Sequence, residues 1–171
     1  MYNTWNHNKY LYIKNFISKE DLKIILKDIK IYFTNNLHKE KDGSVIKSGQ
    51  QTQPNLHIIS KSKPWKNYYK KLNELANILG KEKLTKSWAL KIEKKAPGVY
   101  HKHQENSITS VFYVQNPNMS LGTHLTDGLN DIIIPGHENS LLIFDGTITH
   151  DAIFPTYTLE KPRYSLVTDY E

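Results

Sequence analysis

The chain has 171 residues, 38% of them hydrophobic, and a formal net charge of +6, which describes a folded globular protein rather than a disordered one. It contains no cysteine, which excludes disulfide bonds, a thiol nucleophile and a thiolate metal site. No apolar stretch approaches the roughly 20 residues that span a bilayer. Residues 1–14 also lack the apolar core of a signal peptide. We therefore expect a cytoplasmic protein without a membrane partner.

The positive charge comes almost entirely from lysine, because Arg163 is the single arginine among 23 basic residues. The lysines are scattered along the chain and form no basic tract, so they give no reason to expect a nucleic-acid partner. A guanidinium can hold a carboxylate through two parallel hydrogen bonds, which an ammonium group cannot do. Arg163 is therefore a candidate carboxylate-binding residue, and the alternative is an ordinary surface arginine.

The first half of the chain predicts two helices. Residues 10–16 alternate as a strand does, and Ser18 then begins a helix that continues with apolar residues at helical spacing to position 33. The polar residues 35–55 indicate a long loop. A second helix with a clean apolar stripe is predicted over residues 64–80, beginning at a proline and ending at a glycine.

The second half changes to short strands separated by turns that contain Gly, Pro, Asn and Asp. Such strands, repeated every 8–12 residues, are typical of an antiparallel sandwich or jelly roll. We therefore predict one domain over residues 1–171, mainly β with α, with a helical support region at 1–85 and a β core at 86–171. The predicted strands are 87–93, 99–104, 107–115, 121–126, 131–134, 139–144, 149–154 and 163–169.

The candidate chemistry lies in the segment from Tyr100 to Asn106. On a strand, His101, His103 and Glu105 project toward one face, and His150 starts a later predicted strand. Two imidazoles and one carboxylate suit iron(II) and leave three coordination positions open. A 2-oxo acid can chelate such a metal through its 2-oxo and C1 groups, and where it has a second, distal carboxylate, Arg163 on the neighbouring predicted strand can bind it.

These residues belong to motifs that resemble those of the 2-oxoglutarate- and iron(II)-dependent dioxygenases, particularly the prolyl-4-hydroxylase-like branch. The resemblance implies a double-stranded β-helix (a jelly-roll, cupin-like core). It also implies iron(II) as cofactor, with 2-oxoglutarate and dioxygen as cosubstrates. The motifs are Tyr100-His101-Lys102-His103-Gln104-Glu105, Val111-Phe112-Tyr113-Val114-Gln115, Phe144 through His150 to Pro155, and Arg163-Tyr164-Ser165.

Residue by residue, the resemblance implies that His103, Glu105 and His150 hold the iron. It further implies that Arg163 binds the distal carboxylate of 2-oxoglutarate with help from the hydroxyls of Ser165 and Tyr113. Glu105 stands where the family usually has aspartate. The alternative third ligand is His101, which gives a site of three histidines.

The predicted function is a dioxygenase that hydroxylates a peptidyl (prolyl-like) or small-molecule substrate while 2-oxoglutarate is decarboxylated to succinate. The alternative is a non-catalytic, cupin-like metal- or ligand-binding or sensory protein. Gly98, His101 and His103 are superficially similar to a cupin motif, although the cupin spacing is not met. A purely structural protein is the third possibility, and the sequence leaves the oligomeric state open.

Overall fold

The computed structural model describes residues 3–5, 8–35, 50–95 and 98–171, and the account below refers to these residues. Within them the chain forms ten strands and three helices. In chain order they are β1 (Asn3–Trp5), β2 (Asn8–Lys14), α1 (Lys19–Thr34), β3 (Gln50–Gln51), α2 (Leu56–Ile59), α3 (Lys63–Ile78), β4 (Leu84–Ile92), β5 (Ile108–Gln115), β6 (Thr123–Thr126), β7 (Asp131–Ile134), β8 (Ser140–Asp145), β9 (Thr149–Ala152) and β10 (Arg163–Tyr170).

The strands form two antiparallel sheets. The larger sheet has the order β1-β2-β8-β5-β10-β4-β3, and the smaller has the order β7-β6-β9. The predicted class, mainly β with a jelly-roll core, is confirmed. The first 85 residues contribute strands β1 to β3 to the large sheet in addition to the helices.

Two long helices cover the outer face of the large sheet, as the apolar periodicity predicts. The Ser18 side chain caps α1 by accepting a 3.0 Å hydrogen bond from the backbone N–H of Asp21. The helices are joined by a 2.9 Å hydrogen bond from the indole N–H of Trp65 to Asp28. No helix in the described part of the chain combines the length and apolarity needed to cross a bilayer.

The inner face of the large sheet meets the small sheet, and this space holds the second core. Strand alternation sends neighbouring β10 residues to opposite faces. Leu166 packs in the core beneath the helices, whereas Val167 packs between the sheets. By the same alternation Arg163, Ser165 and Asp169 share the inner face with Val167, and Arg163 and Val167 line one cavity there.

Residues 99–104, predicted as a strand, form only a single bridge in which His101 and His150 exchange backbone hydrogen bonds of 3.1 and 3.0 Å. The chain then turns, with the N–H of Ser107 bonded to the carbonyl of Gln104. Asn106 has a φ of 60°, a left-handed conformation that asparagine adopts more readily than most residues. The period-two alternation therefore stops before residue 105.

Candidate active site

Three histidines converge between the two sheets. The nitrogen ligand atoms that His101, His103 and His150 can offer all lie within 4.8 Å of one another. Their ring centroids are 4.3 Å (101 to 150), 4.9 Å (103 to 150) and 5.3 Å (101 to 103) apart. The backbone bridge between positions 101 and 150 brings the two chain segments together and sets this spacing.

The hydrogen bonds of the three rings assign their tautomers. Nδ1 of His101 lies 2.8 Å from the carbonyl of Val99, and Nδ1 of His150 lies 2.8 Å from the carbonyl of Ile148. Nδ1 of His103 lies 2.7 Å from a carboxylate oxygen of Asp169. A carbonyl accepts but does not donate, so Nδ1 carries the proton in the first two rings and Nε2 keeps its lone pair. The carboxylate of Asp169 accepts the hydrogen bond from Nδ1 of His103 in the same way. The Nε2 lone pair of each of the three rings is therefore available to a metal.

Burial keeps His101 and His150 neutral. His150 is 5% exposed, and burial together with the neighbouring His101 and His103 lowers its pKa to about 3. Burial also lowers the pKa of His101 from its ordinary value. Neutral imidazoles are the ligands that iron, zinc, copper and nickel accept.

The lowered pKa of His150 predicts acid sensitivity in the metal-free protein. The unfolded chain binds a proton at His150 near its ordinary pKa of 6.5, whereas the folded protein resists protonation down to about pH 3. The free energy of unfolding should therefore fall as the pH drops from about 6.5 toward 3, by up to about 1.4 kcal/mol per pH unit for this group. Denaturant titrations between pH 7.5 and 4.5 measure this slope, which should be smaller in His150→Asn. A wild-type stability that rises on acidification in this range contradicts the assignment.

Glu105 lies apart from this group. Its side chain is exposed in the turn that follows His103, and it is not among the residues whose ligand atoms converge. The structure thus brings together His103 and His150 of the expected set with His101, the alternative ligand. The cause is the turn at residues 104–107, which ends the strand alternation on which the expected position of Glu105 depends.

Arg163 is 1% exposed, so it is a buried residue and not a surface arginine. Its Nη1 donates hydrogen bonds to the carbonyls of Gly122 at 3.0 Å and Ile153 at 3.2 Å, and its guanidinium carbon lies 5.2 Å from the ring centroid of Tyr113. Its Nε has no partner, and no carboxylate in the described residues lies within ion-pair distance of it. Burial lowers the pKa of Arg163, yet a guanidinium stays protonated in proteins. An unpaired buried cation is costly and calls for an anion.

The arginine and the three histidines line the same narrow cavity. Ser165, on the same face of β10, has a fully buried hydroxyl without a hydrogen-bond partner among the described residues. One cavity therefore combines nitrogen ligands with a positive charge that has no ion-pair partner among the described residues, although Asp151 on the same wall acts on it from a longer distance. Its walls are completed by Trp88, Leu90, Val111, Thr123, Asp151, Ala152 and Val167.

Tyr113 lies beside the cavity and does not line it. Its hydroxyl shares a 2.7 Å hydrogen bond with that of Thr123, and burial raises its pKa to about 12. Because Thr123 lines the cavity, its hydroxyl stands between the buried tyrosine and any bound molecule. The ring of Tyr113 packs against the guanidinium of Arg163.

The sequence analysis did not assign three residues to the site, namely Thr123, Trp88 and Asp169. The indole of Trp88 is stacked on His103 with centroids 6.0 Å apart and an interplanar angle of 15°. Asp169 is bonded to the same imidazole. The period-two pattern that places Arg163 and Ser165 on one face extends to Asp169, so this residue was detectable from the strand itself.

Position 98 requires glycine because the side chain of Asp151 lies too close to leave room for a Cβ atom. A Cβ atom at position 98 would lie 1.6 Å from a carboxylate oxygen of Asp151. Burial raises the pKa of Asp151, and the nearby backbone of Val99 and Ala152 partly offsets this effect. The carbonyl of Val99 in turn contacts Nδ1 of the His101 ring. Asp151 of β9 thus packs against the segment that carries His101, next to His150 on its own strand.

We expect Gly98→Ala to displace this segment and to weaken metal binding about 10-fold or more, the effect typical of disturbing the groups that orient metal ligands. Titration of the purified variant with cobalt(II), followed by absorbance, measures the affinity. Leu129→Ala, in an exposed loop, is the control that should bind as wild type does. Unchanged affinity in Gly98→Ala would show that the Asp151 contact does not position His101.

No protein-family model matches the sequence, and no curated protein matches it significantly. Solved structures do match over nearly the whole chain. The non-heme alpha ketoglutarate (2-oxoglutarate) dependent epimerase SnoN from nogalamycin biosynthesis is 12% identical with a TM-score of 0.75, over 95% of this chain and 77% of that one. A Pseudomonas putida prolyl-4-hydroxylase is 12% identical with a TM-score of 0.71, over 94% and 91%.

A prolyl hydroxylase from Trichoplax adhaerens is 14% identical with a TM-score of 0.68, over 94% of this chain and 82% of that one. That structure contains a peptide fragment of the hypoxia inducible factor oxygen degradation domain. At these identities the comparisons concern the fold. The chain therefore has the jelly-roll fold of the iron- and 2-oxoglutarate-dependent oxygenases, as its motifs predict.

Proposed function

We propose that this protein is an iron(II)- and 2-oxoglutarate-dependent dioxygenase. In this proposal His101, His103 and His150 hold the iron, and Arg163 binds the distal carboxylate of 2-oxoglutarate. One observation carries the proposal: a buried arginine that forms no ion pair with any described residue lines the same cavity as three convergent histidines. Folding does not require the histidines and the arginine to share a cavity. A dicarboxylate that chelates a metal needs both, because one end binds the metal and the other end binds the arginine.

The histidines fit a metal ion of this kind. Their Nδ1 atoms are occupied by hydrogen bonds, so each ring is oriented and presents a neutral Nε2. Three ligands of a six-coordinate ion leave three positions open, two of which a 2-oxo acid would occupy. When bound, the iron would supply the activation of dioxygen that accompanies conversion of 2-oxoglutarate to succinate and oxidation of the substrate.

The far end of the cavity fits the distal carboxylate. Arg163 supplies positive charge, with Nη1 anchored on two backbone carbonyls, so the guanidinium is held in place before a ligand arrives. Nε of Arg163 and the hydroxyl of Ser165, which have no hydrogen-bond partner in the described part of the chain, are buried donors that an anion would satisfy. Thr123 adds a hydroxyl on the cavity wall.

We propose that the substrate enters through an open cleft on the other side of the histidines. This cleft has about 1160 Å³ of empty space, partly open to solvent, and shares Trp88, His101 and His103 with the narrow cavity. Gln51 and Pro54 form part of its rim, at the described end of the predicted 35–55 loop. Positions 36–49 of that loop lie outside the described residues.

The substrate class we propose is a peptidyl, prolyl-like side chain or a small molecule, and the reaction is hydroxylation. The open form of the cleft supports a substrate larger than the cosubstrate. The motif resemblance and the fold shared with two prolyl hydroxylases, one of them bound to a peptide, favour the peptidyl class.

The test is succinate formation from 2-oxoglutarate by the purified protein with iron(II) in air, alone and with a panel of proline-containing peptides and small molecules. We expect slow formation alone and faster formation with the correct substrate. A protein that binds iron and 2-oxoglutarate but forms no succinate under any of these conditions would instead be a cupin-like binding or sensory protein.

A further inference from the structure

We propose that Asp169 is a positioning residue of the metal site: its carboxylate orients His103 and supplies the negative charge that a set of three neutral histidines lacks. The proposal rests on the metal site proposed above. It assigns a role to an acidic residue that is far from the histidine motifs in sequence and is not itself one of the converging ligands.

The carboxylate of Asp169 is held firmly. The residue is 7% exposed and lies near the end of β10, on the face that also carries Arg163. One carboxylate oxygen accepts two hydrogen bonds, from Nδ1 of His103 at 2.7 Å and from the hydroxyl of Thr109 at 3.0 Å. Thr109 is the direct partner of Asp169 across the β5–β10 pair, so the sheet itself fixes the position of the carboxylate.

His103 needs this support more than the other two histidines do. His101 and His150 are paired through their backbones, whereas His103 lies outside the strands and is anchored by one backbone hydrogen bond, from its N–H to the carbonyl of Gly146 at 2.7 Å. Its ring is confined on one flat side by Trp88 and at Nδ1 by Asp169. These two contacts determine where Nε2 points.

Asp169 also differs in charge from the other ring partners. His101 and His150 donate to backbone carbonyls, and among the three converging rings only that of His103 contacts a carboxylate within the described residues. A carboxylate behind a metal-bound imidazole raises the basicity of the ring and partly offsets the charge of the cation. In a site of two histidines and one carboxylate, the carboxylate is itself a metal ligand. Here the Asp169 carboxylate would act on the metal indirectly, through the ring of His103.

The experiment measures cobalt(II) binding to the full-length protein without 2-oxoglutarate, by visible absorbance under anaerobic conditions. Three variants are compared with wild type. Asp169→Asn removes the charge with little change of shape, and Thr109→Val removes one hydrogen bond to the carboxylate while keeping the charge. Glu160→Gln is the matched control, because it exchanges an exposed carboxylate for an amide away from the site.

We expect Asp169→Asn to weaken cobalt affinity by about 10- to 100-fold and to shift the visible bands, because the field of the His103 ligand changes. Thr109→Val should weaken affinity by less, and Glu160→Gln should not change it. The proton on Nδ1 of His103 gives a second readout. Its strongly hydrogen-bonded NMR signal in the metal-free wild type should move upfield in Asp169→Asn, which a purely structural role would not require.

An affinity and spectrum of Asp169→Asn equal to those of wild type would overturn the inference and leave the proposed metal site intact. Absence of cobalt binding by the wild-type protein would overturn both. If Asp169→Asn does not fold, Thr109→Val decides: a cobalt affinity equal to that of wild type counts against Asp169, and a weaker one supports it.

Discussion

Arg163→Gln is expected to reduce the affinity for 2-oxoglutarate by about 100-fold or more. Each hydrogen bond from a charged donor contributes about 1.5–3 kcal/mol, and the substitution removes both the charge and the planar fork from a buried site. Arg163→Lys keeps the charge without the fork and should lose about 10-fold or more. Isothermal titration calorimetry of the manganese-loaded protein under anaerobic conditions measures the affinity directly.

Two controls make this result specific. Lys161→Gln removes an exposed positive charge two positions away and should leave 2-oxoglutarate binding unchanged. Manganese affinity should survive in Arg163→Gln if the variant folds, even though the hydrogen bonds to the carbonyls of Gly122 and Ile153 are altered. A variant that keeps its metal and binds 2-oxoglutarate as wild type does would show that Arg163 is not the carboxylate-binding residue.

His101→Ala is expected to weaken iron(II) binding by about 100-fold or more, while Glu105→Gln stays within about twofold of wild type. His101 contributes one of the three converging ligand atoms, and breaking a metal–ligand bond costs more than disturbing the groups behind it. Glu105 is exposed in a turn and outside the converging group. Anaerobic competition of each variant with a chromogenic iron chelator measures the affinities.

The opposite pattern would be equally informative. If Glu105→Gln lost iron and His101→Ala kept it, the ligands would be His103, Glu105 and His150, as the motif resemblance implies. The turn at residues 104–107 would then have to rearrange when the metal binds. His124 contacts the exposed Tyr100 and lies outside the group of three converging histidines. His124→Gln therefore serves as a control for the loss of an imidazole.

Much of the fold was predictable because local signals agree with the tertiary arrangement. The Ser18 cap and the apolar spacing after it predict α1, and the proline near position 64 marks the start of α3. The turn residues between the short strands separate β4 to β10 at nearly the predicted places. In these elements one buried face explains both the sequence pattern and the structure.

The ligand geometry was less predictable, because it depends on where a strand ends. Alternation places His101, His103 and Glu105 on one face only if the chain stays extended. The left-handed conformation of Asn106 and the hydrogen bond from the N–H of Ser107 to the carbonyl of Gln104 end the extended segment just before Glu105. Alternation along β10 indicates the face on which Asp169 lies, but its contact with His103 depends on sheet register, which the local sequence does not encode.

The burial of Arg163 also depends on the tertiary arrangement more than on local sequence. Its uniqueness in composition and its offset from His150 suggest a carboxylate-binding role, but most single arginines lie at the surface. Only the sheet pairing shows that β10 is flanked by β4 and β5, so that its inward side chains are covered. The cavity that joins Arg163 to the histidines arises from this central position.

The most direct test of the central claim is an anaerobic titration of the iron(II)-loaded protein with 2-oxoglutarate, followed by visible absorbance. Chelation of iron by the 2-oxo and C1 carboxylate groups should produce a weak metal-to-ligand charge-transfer band that saturates as the site fills. Succinate, which lacks the 2-oxo group, should produce none. A protein that binds iron at the histidines but shows no such band with 2-oxoglutarate would contradict the account.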